Sequence, residues 1–105
     1  MMETISAKEL DQYVQNGRAV IIDLRSRQEF AQGHILGAVN VPHGRFSRDL
    51  LGDGQKTIVL YCERGALSMS VALELERRGY HTKSVVGGIR AYRGKNMVRG
   101  SERDH

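Results

Sequence analysis

The sequence is poor in the residues that cross-link small proteins or bind metal ions in them. Its 105 residues include one cysteine, Cys62, and four histidines, His34, His43, His81 and His105. A single cysteine excludes an intrachain disulfide. The histidines lack the paired spacing of zinc ligands, which also excludes a cysteine-rich zinc site. We therefore expect no disulfide scaffold, no metal ion and no other cofactor.

Long apolar segments are also missing. No run approaches the roughly 18 apolar residues of a membrane-spanning helix. Residues 1–10 contain two acidic side chains and no apolar core of the kind found in a secretory signal. The sequence predicts a cytoplasmic protein without a membrane partner.

Positive charge is in modest excess. Sixteen Lys and Arg residues against 12 Asp and Glu residues give a formal net charge of +4. Such an excess suits anionic ligands. The basic residues are scattered, however, and lack the interleaved aromatic side chains of proteins that bind single-stranded nucleic acid. We expect small anions, and no nucleic acid, as ligands.

The length and composition fit one compact domain. Apolar residues make up 40% of the chain and charged residues 27%, which is ordinary for a globular protein. A chain of 105 residues is also close to the commonest domain size. We predict a single domain over residues 1–105, with a core of about residues 3–94 and a polar, frayed tail from Lys95 to His105.

Strand-like and helix-like segments alternate along the chain. The predicted strands are 3–6, 19–24, 38–41, 57–61 and 83–86, and the predicted helices are 7–15, 26–32, 45–51, 66–78 and 89–93. Ser6 and Glu9 have the spacing of a capping box for the first helix, and Asn16-Gly17 is predicted to end it. The connections are too long for hairpins. The pattern predicts an α/β fold, with an open, mostly parallel sheet of about five strands flanked by helices on both faces.

The segment that follows strand 57–61 carries the strongest functional signal. Ligands bind at the carboxyl ends of strands in such sheets, and Cys62 lies there, directly before a helix. The first amide groups of a helix have no partner within it and can bind an anion, while Gly65 lets the backbone curl around the sulfur. Cysteines in this setting commonly have a pKa of about 3.5–7.5 instead of about 8.5. The sequence therefore predicts that Cys62 is a reactive nucleophile.

Four segments together resemble the signatures of the rhodanese family. Cys62 with its glycine-bearing loop resembles the family's active-site loop, which opens with Cys. The other three segments are Asp23-Leu24-Arg25 followed by Glu29-Phe30, the stretch Gly33–Pro42, which is similar to Gly-His-Ile-x-Gly-Ala-x-x-x-Pro, and Gly87-Gly88 followed by Tyr92. They occur in the family's order, and the resemblance covers about residues 3–94.

The resemblance implies a sulfurtransferase. Cys62 would be the catalytic residue and would carry sulfane sulfur as a persulfide. The donor would be a small anion such as thiosulfate or a persulfide, and the acceptor a thiol or a protein cysteine. The residues predicted to bind the substrate are Glu63, Arg64, Gly65, Ala66, Leu67 and Ser68.

The loop departs from the family at its sixth position. The family often has Arg there, whereas this chain has Leu67, with Arg64 at the third position instead. A dianionic donor loses a cationic partner by this change, which favours a less charged persulfide donor.

Residues outside the loop are assigned structural roles. His34 is predicted to hydrogen-bond within a turn, Tyr92 to pack in the core, and Asp23 and Arg25 to form a polar pair that braces the loops at the strand ends.

Two other functions are compatible with the same fold. A phosphatase or arsenate reductase would need a loop one residue longer that closes in Arg for bidentate binding of the anion. The seventh position from Cys62 is Ser68, which counts against this class. A non-catalytic rhodanese-like module that binds a partner would not need Cys62, and the presence of that residue counts against it.

Overall fold

Strands and helices alternate along the chain, as the sequence predicts. The computed structural model describes residues 2–15, 17, 19–42, 46, 48–52 and 54–100. Its strands are β1 Glu3–Ile5, β2 Ala19–Asp23, β3 His34–Ile35, β4 Val39–Asn40, β5 Thr57–Tyr61, β6 His81–Val85 and β7 Met97–Val98. Its α-helices are α1 Leu10–Val14, α2 Arg27–Gln32, α3 Arg48–Leu51 and α4 Ala66–Arg77, and a 3-10 helix covers Gly88–Ala91.

Five of the strands form one parallel sheet, in the order β1-β6-β5-β2-β4. The central strand, β5, pairs with β2 on one side and β6 on the other, so that Thr57 lies between Ala19 and His81. Parallel strands place all their carboxyl ends at one edge. The predicted α/β fold class is confirmed, and Cys62 lies at this edge in the middle of the sheet.

The two faces of the sheet bury separate apolar cores, because successive side chains of a strand point to opposite faces. Val59 and Tyr61 of β5 pack on the face covered by α1 and α2. Ile58 and Leu60 pack on the opposite face with the buried residues of α3 and α4. Cys62 continues this alternation and belongs to the second core. Its side chain therefore points to the α4 side of the sheet.

The start of α1 differs from the prediction of a helix over 7–15. The predicted contacts between Ser6 and Glu9 are present, since the Glu9 amide donates to the Ser6 hydroxyl at 3.1 Å and the Ser6 amide donates to the Glu9 carboxylate at 3.3 Å. The Leu10 amide, however, donates to the Ala7 carbonyl, three residues back, at 3.2 Å. This tight turn delays the α-helix to Leu10. Asn16, predicted to end it, lies outside the described residues.

The last segment of the chain is the main correction. Residues 95–100 are not frayed, because β7 pairs antiparallel with β3 and places Val98 opposite His34. The Gly100 amide also donates to the Ala31 carbonyl at 2.9 Å. Neither strand was predicted, since two residues are too few to show alternation. Residues 101–105 lie outside the described part of the chain.

Smaller boundary differences occur elsewhere. Strand β6 begins at His81, two residues before the predicted strand 83–86. Helix α3 covers the end of the predicted helix 45–51, of which residues 45 and 47 are not described. None of the helices in the described ranges is long and apolar enough to cross a membrane.

Candidate active site

The Cys62 loop begins where β5 ends and is fixed by its own backbone. The Ile89 amide donates to the Cys62 carbonyl at 2.9 Å, and the Arg90 amide donates to the Glu63 carbonyl at 3.3 Å. Gly88 lies against the same two carbonyls, where an added Cβ would come within 2.5 Å of both oxygens. The second glycine of the Gly87-Gly88 signature is therefore explained by close contact with the loop, whereas a Cβ on Gly87 would come within 2.9 Å of the Ala91 side chain.

Two backbone amides point at the sulfur of Cys62. The Gly65 amide donates to Sγ at 3.1 Å, and the Ser68 amide donates to it at 3.4 Å. Gly65 is the N-cap of α4 and has a φ of +108°, in the left-handed region that glycine adopts without strain. The loop thus curls around the sulfur as the sequence predicts, and 95% of the Cys62 surface is covered, since 5% remains exposed.

This environment favours the thiolate. Burial by itself raises the pKa of the Cys62 thiol, because a buried thiolate loses hydration. Hydrogen bonds from the Ser68 amide and hydroxyl and from the Gly65 and Arg64 amides outweigh burial, and the pKa is lowered. Neutral donors therefore favour the thiolate over the thiol, and the thiolate is the form in which cysteine acts as a nucleophile.

Two buried hydroxyl groups lie behind the sulfur. Ser68 and Ser84 are 0% and 1% exposed, and their Oγ atoms are 2.8 Å apart. The Ser68 hydroxyl also lies 3.1 Å from the Gly65 carbonyl, to which it donates. Sequence reasoning found Ser68 but not Ser84. The sequence could have indicated Ser84, because Thr82 and Ser84 are polar residues at alternating positions of a buried strand, where hydroxyl groups need hydrogen-bond partners.

A network of charged side chains lies on the other side of the loop. The Arg25 guanidinium donates to the buried Asp23 carboxylate at 2.8 Å and to the Gly33 carbonyl at 2.5 Å. A second guanidinium nitrogen lies 3.7 Å from the Glu63 carboxylate, which also accepts a hydrogen bond from Arg90 at 2.8 Å. The predicted bracing pair of Asp23 and Arg25 is confirmed. Arg90, which the sequence reasoning did not assign, extends it to the loop.

The predicted site residues divide into two groups. Cys62, Gly65 and Ser68 come together at the sulfur. The side chains of Glu63, Arg64, Ala66 and Leu67 do not join them, since Glu63 faces Arg90 and Arg25 and the other three are exposed.

The other residues outside the loop have the predicted structural roles, although His34 lies in strand β3 and not in a turn. His34 is fully buried, its Nδ1 lies 2.7 Å from the Phe30 carbonyl, and its ring stacks on Phe30 with centroids 3.6 Å apart. Tyr92 packs in the core, and its hydroxyl bonds to Asp11 and Asn96. Among the described residues no group of three or more His, Cys, Asp or Glu side chains is arranged to hold a metal ion.

Solved structures share this fold over nearly its whole length. A rhodanese-like domain protein from Staphylococcus aureus superposes with a TM-score of 0.78 at 26% identity, covering 95% of this chain and 100% of that one. A rhodanese-related protein from Thermoplasma volcanium superposes with a TM-score of 0.79 at 22% identity, covering 91% of this chain and 97% of that one.

Sequence relatives include parts of longer proteins. A tRNA sulfurtransferase from Desulfurococcus amylolyticus is 36% identical over 77 residues, which are 73% of this chain and 15% of that protein. A tRNA sulfurtransferase from Thermoplasma acidophilum is 43% identical over 61 residues, which are 58% of this chain and 12% of that protein. The chain thus spans less than a sixth of the length of either relative. The model of the Rhodanese-like domain matches residues 6–95. The chain belongs to the rhodanese-like domain family.

Proposed function

We propose that the protein is a sulfurtransferase in which Cys62 carries sulfane sulfur as a persulfide. The observation that supports this most is the pair of amide hydrogen bonds from Gly65 and Ser68 to the Cys62 sulfur at 3.1 and 3.4 Å. They favour the thiolate that the first step requires. The names of the two relatives support the same class of reaction, while tRNA is a substrate of those longer proteins.

The proposed reaction has two half-reactions. In the first, the Cys62 thiolate attacks the outer sulfur of the donor, and the donor's sulfur–sulfur bond breaks. A persulfide donor leaves as its thiolate, whereas thiosulfate leaves as sulfite. In the second, an acceptor thiolate attacks the outer sulfur of the Cys62 persulfide. The acceptor becomes the persulfide, and Cys62 leaves as a thiolate.

The loop stabilises charge in both half-reactions. The amides of Gly65 and Ser68 bind Sγ when it is the attacking thiolate and again when it is the leaving thiolate. Because no charged side chain among the described residues contacts Sγ, this stabilisation comes from fixed dipoles that need no rearrangement during the reaction.

The exposed rim of the loop favours a persulfide donor over thiosulfate. Leu67 occupies the position where the family often has Arg, and its side chain is 45% exposed. Arg64 is exposed and contributes its amide, not its guanidinium, to the sulfur. Among the described residues of this rim a dianion would therefore meet few positive charges, while a singly charged persulfide needs fewer. The proposed acceptor is a small thiol or a protein cysteine, which a reducing cytoplasm supplies.

Other cysteine enzymes of related fold fit the loop less well. A phosphatase needs an Arg that binds the phosphate oxygens at the end of a longer loop. The residue there is Ser68, whose amide donates to Sγ and whose hydroxyl donates to Gly65. The loop is thus built around one sulfur atom and not around a tetrahedral oxyanion.

Intact-mass spectrometry tests the proposal. The protein is incubated with thiosulfate or with a small-molecule persulfide, desalted and weighed. We expect the mass of one added sulfur, located at Cys62, and no adduct on Cys62→Ser. Folding of the variant is checked by circular dichroism. A wild-type protein that takes up no sulfur from either donor would favour the non-catalytic binding module instead.

A further inference from the structure

Ser84 is a buried polar residue that the proposed mechanism does not yet use. It lies on β6, next to β5 in the sheet, and its hydroxyl reaches across to Ser68 on α4 with 2.8 Å between the Oγ atoms. Among the described residues, Ser68 is its only side-chain partner. A hydroxyl in an apolar core is unfavourable unless it is hydrogen-bonded, so this pair is a defined contact behind the sulfur.

The direction of the hydrogen bond follows from counting protons. The Ser68 hydroxyl has one proton and faces the Gly65 carbonyl at 3.1 Å, an oxygen that can only accept. If Ser68 gave that proton to Ser84, the Ser84 proton would have no acceptor in the part of the chain that the structure describes. Ser84 therefore donates to Ser68, which leaves the Ser68 proton for an acceptor in the loop.

Two acceptors compete for the Ser68 proton. The first is the Gly65 carbonyl, which also accepts from the Met69 amide at 3.1 Å and so stays bonded without Ser68. The second is the Cys62 sulfur, whose ionisation the Ser68 hydroxyl favours. The proton can thus turn from the carbonyl to the sulfur without leaving a buried carbonyl unsatisfied.

We infer that Ser84 is a positioning residue for Cys62, which by donating to Ser68 directs the Ser68 hydroxyl proton to the sulfur whenever the sulfur is a thiolate. The two hydroxyls form a neutral relay from β6 to the reacting atom. The inference rests on the proposed function of Cys62, since it concerns the attacking and leaving thiolate of the same reaction.

The relay acts at two points of the cycle. Before loading, it increases the fraction of Cys62 that is ionised. In the persulfide, Sγ is no longer an anion, and the Ser68 proton returns to the Gly65 carbonyl. During discharge the proton turns to Sγ again as Cys62 becomes the leaving thiolate. Loss of Ser84 would thus slow both half-reactions at neutral pH.

The test is the pH dependence of Cys62 alkylation by iodoacetamide, which needs no sulfur donor. For Ser84→Ala we expect the midpoint of the alkylation profile to move to higher pH. The alkylation rate below the midpoint should fall roughly three- to tenfold, which corresponds to the free energy of one hydrogen bond. The matched control is Thr82→Val on the same strand. It removes a buried hydroxyl that bonds to Ala72 and Glu76 at 3.0 Å and should leave the midpoint unchanged.

A double-mutant cycle separates the relay from a general loosening of the core. If Ser84 acts through Ser68, the midpoint of Ser68→Ala/Ser84→Ala should equal that of Ser68→Ala alone. Additive shifts, or a wild-type midpoint in Ser84→Ala, would overturn the inference. If Ser84→Ala does not fold, Ser84→Thr and Ser84→Val replace it. These two side chains have the same shape, but only threonine keeps the hydroxyl, so only Ser84→Val should shift the midpoint.

Sulfur loading distinguishes this inference from the proposed function. A wild-type protein that accepts no sulfur would contradict the function, whereas the alkylation profiles would still decide whether Ser84 acts on the thiolate. A protein that accepts sulfur but shows no effect of Ser84 would retain the function and lose the relay.

Discussion

The two sides of the Cys62 loop differ in the charge of their polar groups and in what these groups stabilise. On the sulfur side, the described groups that stabilise Sγ are neutral: the amides of Gly65 and Ser68 donate to it, and the Ser68 hydroxyl helps to lower its pKa. On the opposite side, full charges pair with one another, from Asp23 through Arg25 and Glu63 to Arg90. The comparison indicates that charged pairs hold the loop in place, while neutral dipoles stabilise the reacting anion.

This division has a physical reason. A cation in contact with Sγ would stabilise the thiolate strongly, but the nucleophilicity of a thiolate falls as its pKa falls. Amide dipoles lower the pKa moderately and are already oriented by the helix and the turn. The charges of the bracing network neutralise each other, so they fix the loop without adding a strong field at the sulfur.

The Asp23→Ala substitution removes the Asp23–Arg25 ion pair from the charged side of the loop. It leaves the buried Arg25 guanidinium without its closest carboxylate, while Glu63 and the Gly33 carbonyl stay near it, and breaking a buried ion pair costs about 3 kcal/mol of the free energy of unfolding. Urea denaturation measures this loss, while the alkylation midpoint of Cys62 should change little. The matched control is Glu74→Ala, which removes exposed ion pairs to Arg77 and Arg78 and should cost less than about 1 kcal/mol. Equal losses in the two variants would show that the network does not brace the fold.

The neutral side is tested by the pH profile of Cys62 alkylation in the folded protein and in urea. The folded-state pKa is lowered, so the folded protein should react with a midpoint below the ordinary thiol value of about 8.5 seen in urea. Because the pKa of Cys62 is lower in the folded state, its ionisation stabilises the fold. This contribution is fully present above the ordinary thiol pKa and is lost as the pH falls through the folded-state pKa.

Added salt sharpens this test. Raising the salt concentration from about 0.1 M to about 1 M shortens the screening length from about 10 Å to about 3 Å. A midpoint set by hydrogen bonds from neutral donors should hardly move. A large shift towards the value in urea would show that a nearby cation, not the amides, stabilises the thiolate.

Charge at the rim of the loop should have the smallest effect. Arg64→Ala should raise KM for thiosulfate about two- to fivefold, as expected for one exposed charge. It should change kcat less, because this charge would bind the ground state and the transition state equally. Leu67→Arg should improve the use of thiosulfate by a similar factor. Steady-state kinetics with a singly charged persulfide donor serve as the control and should change less, and an equal effect on both donors would contradict a role of charge.

The sequence was sufficient for the features that depend on local pattern. The β-branched run before Cys62 predicts the central strand, whose bounds Thr57–Tyr61 agree with the structure. The helix predicted over 66–78 is one residue longer than α4. Because strand, cysteine, glycine and helix are consecutive, their order alone places the amides of Gly65 and Ser68 at the sulfur.

The features that depend on distant contacts were not predicted. Strand β7 forms only because β3 is there to pair with it, and the two segments have no pattern of their own. Ser84 and Arg90 approach the loop from β6 and the 3-10 helix, 16 and 27 residues along the chain from their partners Ser68 and Glu63. Which polar side chain meets which depends on the order of strands in the sheet. The extent of the domain over residues 1–105 and the cytoplasmic location stay predictions.

In the proposed reaction, sulfur rests on Cys62 between two half-reactions. The most direct measurement loads the protein with sulfur, removes the donor by desalting, and follows the intact mass before and after addition of a thiol. We predict a loaded protein that survives desalting, loses one sulfur to the thiol, and gives parallel double-reciprocal plots against donor and acceptor. Failure to isolate the loaded protein, together with intersecting lines, would show that sulfur passes within a ternary complex and would contradict the account.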